Sequence, residues 1–193
     1  MEINKYIDKL KKYPSAWLGH GLLAAQLVDE FKPNVVVDLG VDYGYSTFCF
    51  GYHNIGNVYG VDWFQGDQHA GSRDTYDRVI ELYEELKKEH NLSNIEFIKG
   101  DFDEVAKTWD KQIDILHIDG FHSYEAVKND FETWSKFCHD DSIILFHDTL
   151  SFPNTVGTFF EELDGFKINK TDSFGLGILT KSETIHNKIS SWI

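Results

Sequence analysis

Five short apolar segments, VVVDL, NVYGVD, IEFI, IDILHID and SIILFHD, punctuate the chain, and three of them end on an aspartate. Their β-branched, nearly unbroken apolar character is that of strands covered on both faces, as in parallel sheets, rather than of strands with one wet side. Helical patterns fill the intervals. Ser46 is placed to cap a helix carrying Phe48, Cys49 and Phe50, and Val79, Leu82, Tyr83 and Leu86 mark the stripe of a helix over about 74–89. GDFDEVAKTW makes a loop and a short helix, and a further helix runs from Tyr124 to Phe137. This alternation predicts an α/β fold with a doubly wound, mostly parallel sheet whose ligand lies at the carboxyl ends of the strands. Two helical runs precede the sheet, one containing Ile3, Tyr6, Ile7 and Leu10, the other extending from Ala16 to Phe31 after Pro14. Towards the end, 155–163 reads as helix, and FKIN and GLGILT are close enough to pair antiparallel at a mixed edge, which brings the sheet to seven strands. The expected organisation is one domain over 1–193, with N-terminal helices over 1–33 and an α/β core over 34–182.

With 193 residues the chain is long enough for one substantial core but short for two. A net charge of −14 disfavours nucleic acid and anionic membrane as partners, since phosphate contacts need clustered Lys and Arg. The opening MEINKYIDKLKKYPS is charged throughout, and no later segment has the roughly 18 apolar residues of a membrane span. A soluble, cytoplasmic protein is expected. Cys49 and Cys138 sit in apolar surroundings without CxxC spacing, as buried reduced thiols do.

The first strand delivers Asp38-Leu39-Gly40-Val41-Asp42-Tyr43-Gly44, an acid followed by glycines four apart, leading into a helix start. Glycines there allow a ligand close to the backbone, and free N–H groups suit an anion. Asp62 ends the second strand at about the distance where an acid reaches ribose hydroxyls. The middle glycine of G-x-G-x-x-G is missing, which counts against a dinucleotide, and Asp38 suits a cationic or amine-bearing ligand better than a diphosphate. A tight strand-to-helix turn with no ligand is the plain alternative.

The motifs DLGVDYGYS, GVDWFQGDQHAG, GDFDE, HIDGFHSYEAVKND and ILFHDT, with GLGIL near the end, occur in an order that resembles class I S-adenosylmethionine (SAM)-dependent methyltransferases. Within that group the chain is similar to the branch of macrocin-type and related sugar O-methyltransferases. The resemblance implies a Rossmann-like methyltransferase fold and SAM as cofactor. It implies that the loop at Gly40 holds the methionine part, that Asp62 binds ribose, and that Asp101 and Phe102 lie beside adenine. The full cofactor set expected from it is Asp38, Gly40, Tyr45, Ser46, Asp62, Trp63, Asp101, Phe102 and Asp119. Two departures stand out: Val-Asp-Trp-Phe replaces the common Val-Asp-Thr-Trp after the second strand, and Asp140-Asp141 replaces a Gly-Gly turn before the fifth.

Asp119 and Asp148 emerge from strands that neighbour each other in that fold. Two carboxylates converging there repel, and a hard divalent cation, magnesium by preference, relieves the repulsion. His122, three residues past Asp119, can accept a proton at cellular pH. In the resembled family such a D-x-x-H pair is read as metal ligand and base, so His122 and Asp119 are the expected catalytic residues. Asp119, Asp148 and His147 are the expected metal set, His147 standing where some relatives carry an acid. Neighbouring strand residues point to opposite faces, so His147 and Asp148 share the site only if the strand ends between them. His117 lies deeper and is expected to be a hydrogen-bonded core histidine. Asp67 and His69, in the insertion after the second strand, are expected in a substrate wall or lid.

The expected activity is methyl transfer, assisted by a divalent metal, to a hydroxyl of a small molecule such as a sugar or glycosylated natural product. A metal-independent methyltransferase with His122 as sole base and a catalytically silent cofactor-binding module are the alternatives. The chain is little more than a catalytic core, which leaves room for a homo-oligomer that completes the acceptor site.

Overall fold

The computed structural model describes residues 3–68 and 71–193. Helices α1 (Ile3–Leu10) and α2 (Gly21–Phe31) come first, and β1 (Val35–Leu39), α3 (Tyr45–Gly51) and β2 (Asn57–Asp62) follow. A two-stranded hairpin, β3 (Gly66–Asp67) and β4 (Gly71–Ser72), precedes α4 (Tyr76–His90), β5 (Ile95–Lys99), α5 (Phe102–Ala106), β6 (Ile113–Ile118) and α6 (Tyr124–Trp134). The chain closes with β7 (Cys138–His147), α7 (Thr158–Glu162), β8 (Phe166–Lys170), β9 (Leu176–Thr180) and α8 (Glu183–Ser190).

Seven strands form one sheet in the order β5-β2-β1-β6-β7-β9-β8. The first five are parallel, and β9 runs antiparallel to both β7 and β8, giving the mixed edge expected from FKIN and GLGILT. Strand alternation divides the core between the two faces. Val36, Ile115 and Ile143 pack under α1–α4, whereas Val37, Leu116 and Ile144 pack with Val127 and Trp134 of α6 and with Phe159 and Phe160 of α7.

Several boundaries differ from the sequence reading. Residues 16–20 form turns, and α2 starts only at Gly21, because Trp17 and His20 are drawn into the core by partners distant in sequence. Ser46 does not cap α3. Gly44, with φ +87, occupies that position, and Ser46 lies inside the helix with its hydroxyl turned to Asp38. The fold also continues past 182: α8 buries Ile189, and Trp192 packs on Phe31. Among the described residues no helix is long and apolar enough to cross a membrane.

Candidate active site

The carboxyl ends of the parallel strands open into a cavity of about 530 Å³, a size usual for small-molecule sites. Strand order lays out its floor. Gly100, Asp101 and Phe102 follow β5, Asp62 ends β2, Gly40 follows β1, Asp119 follows β6, His147 ends β7 and Asp148 follows it. Gly40, with φ +97, is required by more than its turn. A methyl group there would stand 2.0 Å from the Asp119 carbonyl oxygen, because Asp119 N–H donates to the Leu39 carbonyl and draws the two strand ends together.

Of the expected cofactor residues, Gly40, Asp62, Trp63, Asp101, Phe102 and Asp119 line this cavity. Asp62 accepts the backbone N–H groups of Phe64 and Asp42, at 2.7 and 2.9 Å, which lock its carboxylate at the floor. Asp101 caps α5 by accepting from the N–H groups of Asp103 and Glu104. Asp38, Tyr45 and Ser46 are not on the cavity wall. Asp38 is wholly buried, with Ser46 Oγ at 2.8 Å, Thr47 Oγ1 at 2.5 Å and His117 Nδ1 at 2.6 Å, so its oxygens are spoken for. A buried carboxylate needs such donors, and here they come from within the core. Trp17 Nε1 donates to His117 Nε2 at 3.0 Å, completing a Trp17–His117–Asp38 chain that makes His117 the core histidine expected. Tyr45 is buried too, its hydroxyl donating to the Leu18 carbonyl.

At the other end Asp119, His122 and Asp148 converge, each offering a ligand atom within 4.8 Å of the others. His122 Nε2 is 2.9 Å from Asp148 Oδ2 and 3.7 Å from Asp119 Oδ1, and its ring stacks on Phe152 with centroids 4.3 Å apart. His147 reaches the same acids. Its Nδ1 lies 3.3 Å from both Asp119 Oδ1 and Asp148 Oδ2, while Nε2 faces the Ser173 carbonyl at 3.1 Å. An Nε2–H donated to that carbonyl orients the ring and turns Nδ1 to the carboxylates, the arrangement usual behind metal-ligating histidines. The obstacle posed by strand alternation is removed by the backbone: β7 ends at His147, and Asp148 takes the left-handed conformation at φ +63.

The cluster is strongly coupled. Burial alone would lower the His122 pKa, but Asp119 and Asp148 carry it up to about 9. For His147 burial is likewise overcome, chiefly by Asp119, and the value reaches about 10. Burial would raise both acids, yet His147 and His122 hold Asp119 and Asp148 below the usual carboxylate range. Two imidazoles thus balance two carboxylates, where a divalent cation would bring the same positive charge with oxygen and imidazole donors suited to it.

Asp42, Arg73 and Asp130 also line the cavity and were not singled out by the motifs. Arg73 Nη2 pairs with Asp42 Oδ1 at 2.9 Å, and the guanidinium lies over the Tyr43 ring. Burial raises the Asp42 pKa to about 6 despite that arginine. Burial, with Asp103 and Asp101 nearby, pushes Asp130 up to about 7. Asp130 had a legible signal. It shares the buried face of α6 with Val127 and Trp134, where an acid is out of place. Asp67 lines the cavity from β3, and His69 lies outside the described residues.

The family described as "Methyltransferase domain" matches residues 37–149, more than half of the chain. The chain belongs to that family. The match runs from β1 through Asp148, so it takes in every strand end that floors the cavity. Uncharacterized protein y4gI of Sinorhizobium fredii is 34% identical over 176 residues; these are 86% of this chain but 19% of that protein, so the chain spans about a fifth of its relative's length. Among solved structures, the O-methyltransferase TomG from Streptomyces achromogenes, involved in tomaymycin synthesis and in complex with SAM, superposes with a TM-score of 0.66. It is 13% identical, with 94% of this chain and 91% of that one covered. The SAH-bound Podospora anserina methyltransferase PaMTH1 gives 0.68 at 11% identity, covering 94% and 88%. A Bacillus cereus O-methyltransferase in complex with SAH gives 0.63 at 15% identity, covering 83% and 79%. At these identities the likeness is one of fold.

Proposed function

We propose that this methyltransferase moves a methyl group from SAM to a hydroxyl of a small molecule, with a divalent cation, Mg2+ by preference, held by Asp119 and Asp148. The observation that carries the reading is the convergence of Asp119, His122 and Asp148 at adjacent strand ends, on the wall of a cavity whose volume of about 530 Å³ suits a nucleoside cofactor. The donor set fits both groups. Eight aspartates line the cavity, among them Asp42, Asp62, Asp101, Asp119, Asp130 and Asp148, against the single guanidinium of Arg73, a balance that favours a sulfonium. When bound, the sulfonium would supply an electrophilic methyl and a neutral thioether leaving group.

The residues of the chain then have distinct tasks. Asp62 faces ribose hydroxyls with a carboxylate that its backbone partners keep in place. Phe102 walls the base, and Asp119 lies between the cofactor and acceptor halves. A cation at Asp119 and Asp148 supplies charge that eases ionisation of the acceptor hydroxyl. With the charge of Asp119 and Asp148 taken up by the cation, which removes what holds His122 protonated, neutral His122 takes the hydroxyl proton at Nε2 as the new O–C bond forms, and Phe152 stacked behind it sets the ring plane. Bringing hydroxyl and methyl into line is the remaining contribution. His147 serves as a further ligand through Nδ1. The macrocin-type resemblance and the acidic lining favour a neutral or cationic acceptor, such as a sugar or glycosylated natural product, over an anionic one.

A second reading uses no metal: His122 and Asp148, 2.9 Å apart, make an acid–base dyad for a phenol or other acidic acceptor, active as a base only at alkaline pH because the two acids carry the His122 pKa up to about 9. Turnover of a sugar and phenol panel, followed after chelation and after re-addition of Mg2+, separates the two. Loss of turnover with EDTA and its return with Mg2+ are expected, and full activity in EDTA would leave the dyad alone.

A further inference from the structure

Along the strand ends the polar partners follow the order β5, β2, β1, β6, β7, with neighbours roughly 4.8 Å apart. A cofactor with its base at Phe102 and its ribose at Asp62 has its sulfonium and amino-acid tail left over for the next step along the edge, between Asp62 and Asp119. That step is occupied by Asp42, which sits on the β1–α3 loop with φ +49 and receives Arg73 from the segment after β4. The tail is a zwitterion. It needs one anionic and one cationic partner, and Arg73 is the one lysine or arginine among the described residues that line the cavity. Its Nε is buried with no hydrogen-bond partner among the described residues, and that donor sits on a side chain already held in the wall by Asp42 and Tyr43. An orphaned buried guanidinium N–H is costly, and a small turn of the Arg73 side chain towards an anion in the cavity would relieve it.

We infer that the Asp42–Arg73 pair is the clamp for the amino-acid end of the cofactor: Arg73 receives the carboxylate and Asp42 the ammonium. The inference rests on the cofactor placement given above. It also assigns a task to the hairpin. Arg73 N–H donates to the Gln65 carbonyl at 3.0 Å, and a methyl at Gly66 would press on Arg73 Cγ and N, both at 3.2 Å, so the base of the β3–β4 hairpin holds Arg73 in place. The Arg73–Asp42 pair already ties Arg73 to the Gly40–Gly44 loop.

The test compares two probes that differ only beyond the sulfur. S-adenosylhomocysteine carries the amino-acid tail, and 5′-methylthioadenosine ends in a methyl group. Calorimetry on the full chain should show Arg73→Gln losing at least tenfold in S-adenosylhomocysteine affinity, with 5′-methylthioadenosine affinity within twofold of wild type. Arg73→Lys should fall between, since it keeps the charge without the fork, and Asp42→Asn should show the same selectivity as Arg73→Gln. Equal losses for both probes would reduce the pair to a fold-holding bridge and overturn the clamp, as would unchanged affinity for both. Failure of the wild-type chain to bind 5′-methylthioadenosine would instead remove the nucleoside placement on which the clamp depends. Thermal unfolding of each variant, recorded without ligand, shows that a loss comes from the site rather than from a collapsed fold; should Arg73→Gln not fold, the Arg73→Lys and Asp42→Asn pair decides.

Discussion

Replacing Gly40 by alanine sets a backbone contact, rather than a side chain, against the site. The added methyl would meet the Asp119 carbonyl oxygen at 2.0 Å and its carbon at 2.7 Å, and neither can rotate away, because Asp119 N–H is tied to the Leu39 carbonyl at 2.8 Å. Two costs add. The left-handed backbone costs an alanine about 1–2 kcal/mol, and forcing an extra methyl into packed surroundings costs about 1–3 kcal/mol. Gly71→Ala isolates the first, since Gly71 has φ +79 and no described atom within 4 Å of the methyl. The difference between the variants is therefore the contact alone, about 1–3 kcal/mol, or roughly 2–12 °C in Tm at about 2–4 °C per kcal/mol for a chain of this size. Because the atom displaced belongs to Asp119, Gly40→Ala should also weaken both S-adenosylhomocysteine and Mn2+ binding, and Gly71→Ala should leave Mn2+ binding as it is. Thermal melts followed by circular dichroism, with calorimetry for each ligand, make the measurement. If the two variants melt within about 1 °C of each other and bind alike, the contact between the strand ends does not organise the site.

Three further outcomes follow from the geometry. Asp148→Asn keeps a residue that tolerates the left-handed backbone while removing the charge, so Mn2+ affinity should fall by more than the roughly 10–100-fold that loss of an outer-shell partner costs, with S-adenosylhomocysteine affinity retained; equal Mn2+ binding would sink the ligand assignment. His122→Gln should lower turnover roughly 10²–10⁴-fold, the usual contribution of a general base, without changing cofactor affinity. Asp130 binds its proton more tightly folded, at about 7, than an unfolded aspartate does, so its penalty is absent below pH 4, grows as pH rises through 7 and is complete above it. Asp130→Asn should then raise stability at pH 8, by up to about 4 kcal/mol for a shift of this size, and change little at pH 4; a parallel loss at both pH values would show that the group is not carrying the penalty.

The strands were legible because apolar runs ending in polar residues report a sheet buried on both faces, and the strand ends carried Asp62, Asp119 and Asp148 with them. The antiparallel edge was legible from the closeness of FKIN and GLGILT. What the residues could not reveal locally was which acids are consumed by the core. Asp38 looks like a ligand-facing acid until His117, distant in sequence, and the hydroxyls of Ser46 and Thr47 satisfy it. The same long-range logic draws Trp17 and His20 out of a helix that their local pattern allows. Arg73 meets Asp42 only after an irregular insertion folds back, and no spacing rule connects them. His147 turned on a single dihedral angle, that of Asp148, which periodicity does not encode.

That dihedral also restricts the alphabet. A backbone held at φ +63 favours glycine, asparagine and aspartate over most other residues, so position 148 draws on a short alphabet whatever its chemistry. Of the three, aspartate alone brings a negative charge to His122 and to the proposed cation. Across a collection of related chains sharing this turn, the letter at 148, read together with the one at 119, would separate those able to hold the proposed ion from those whose turn has outlived it.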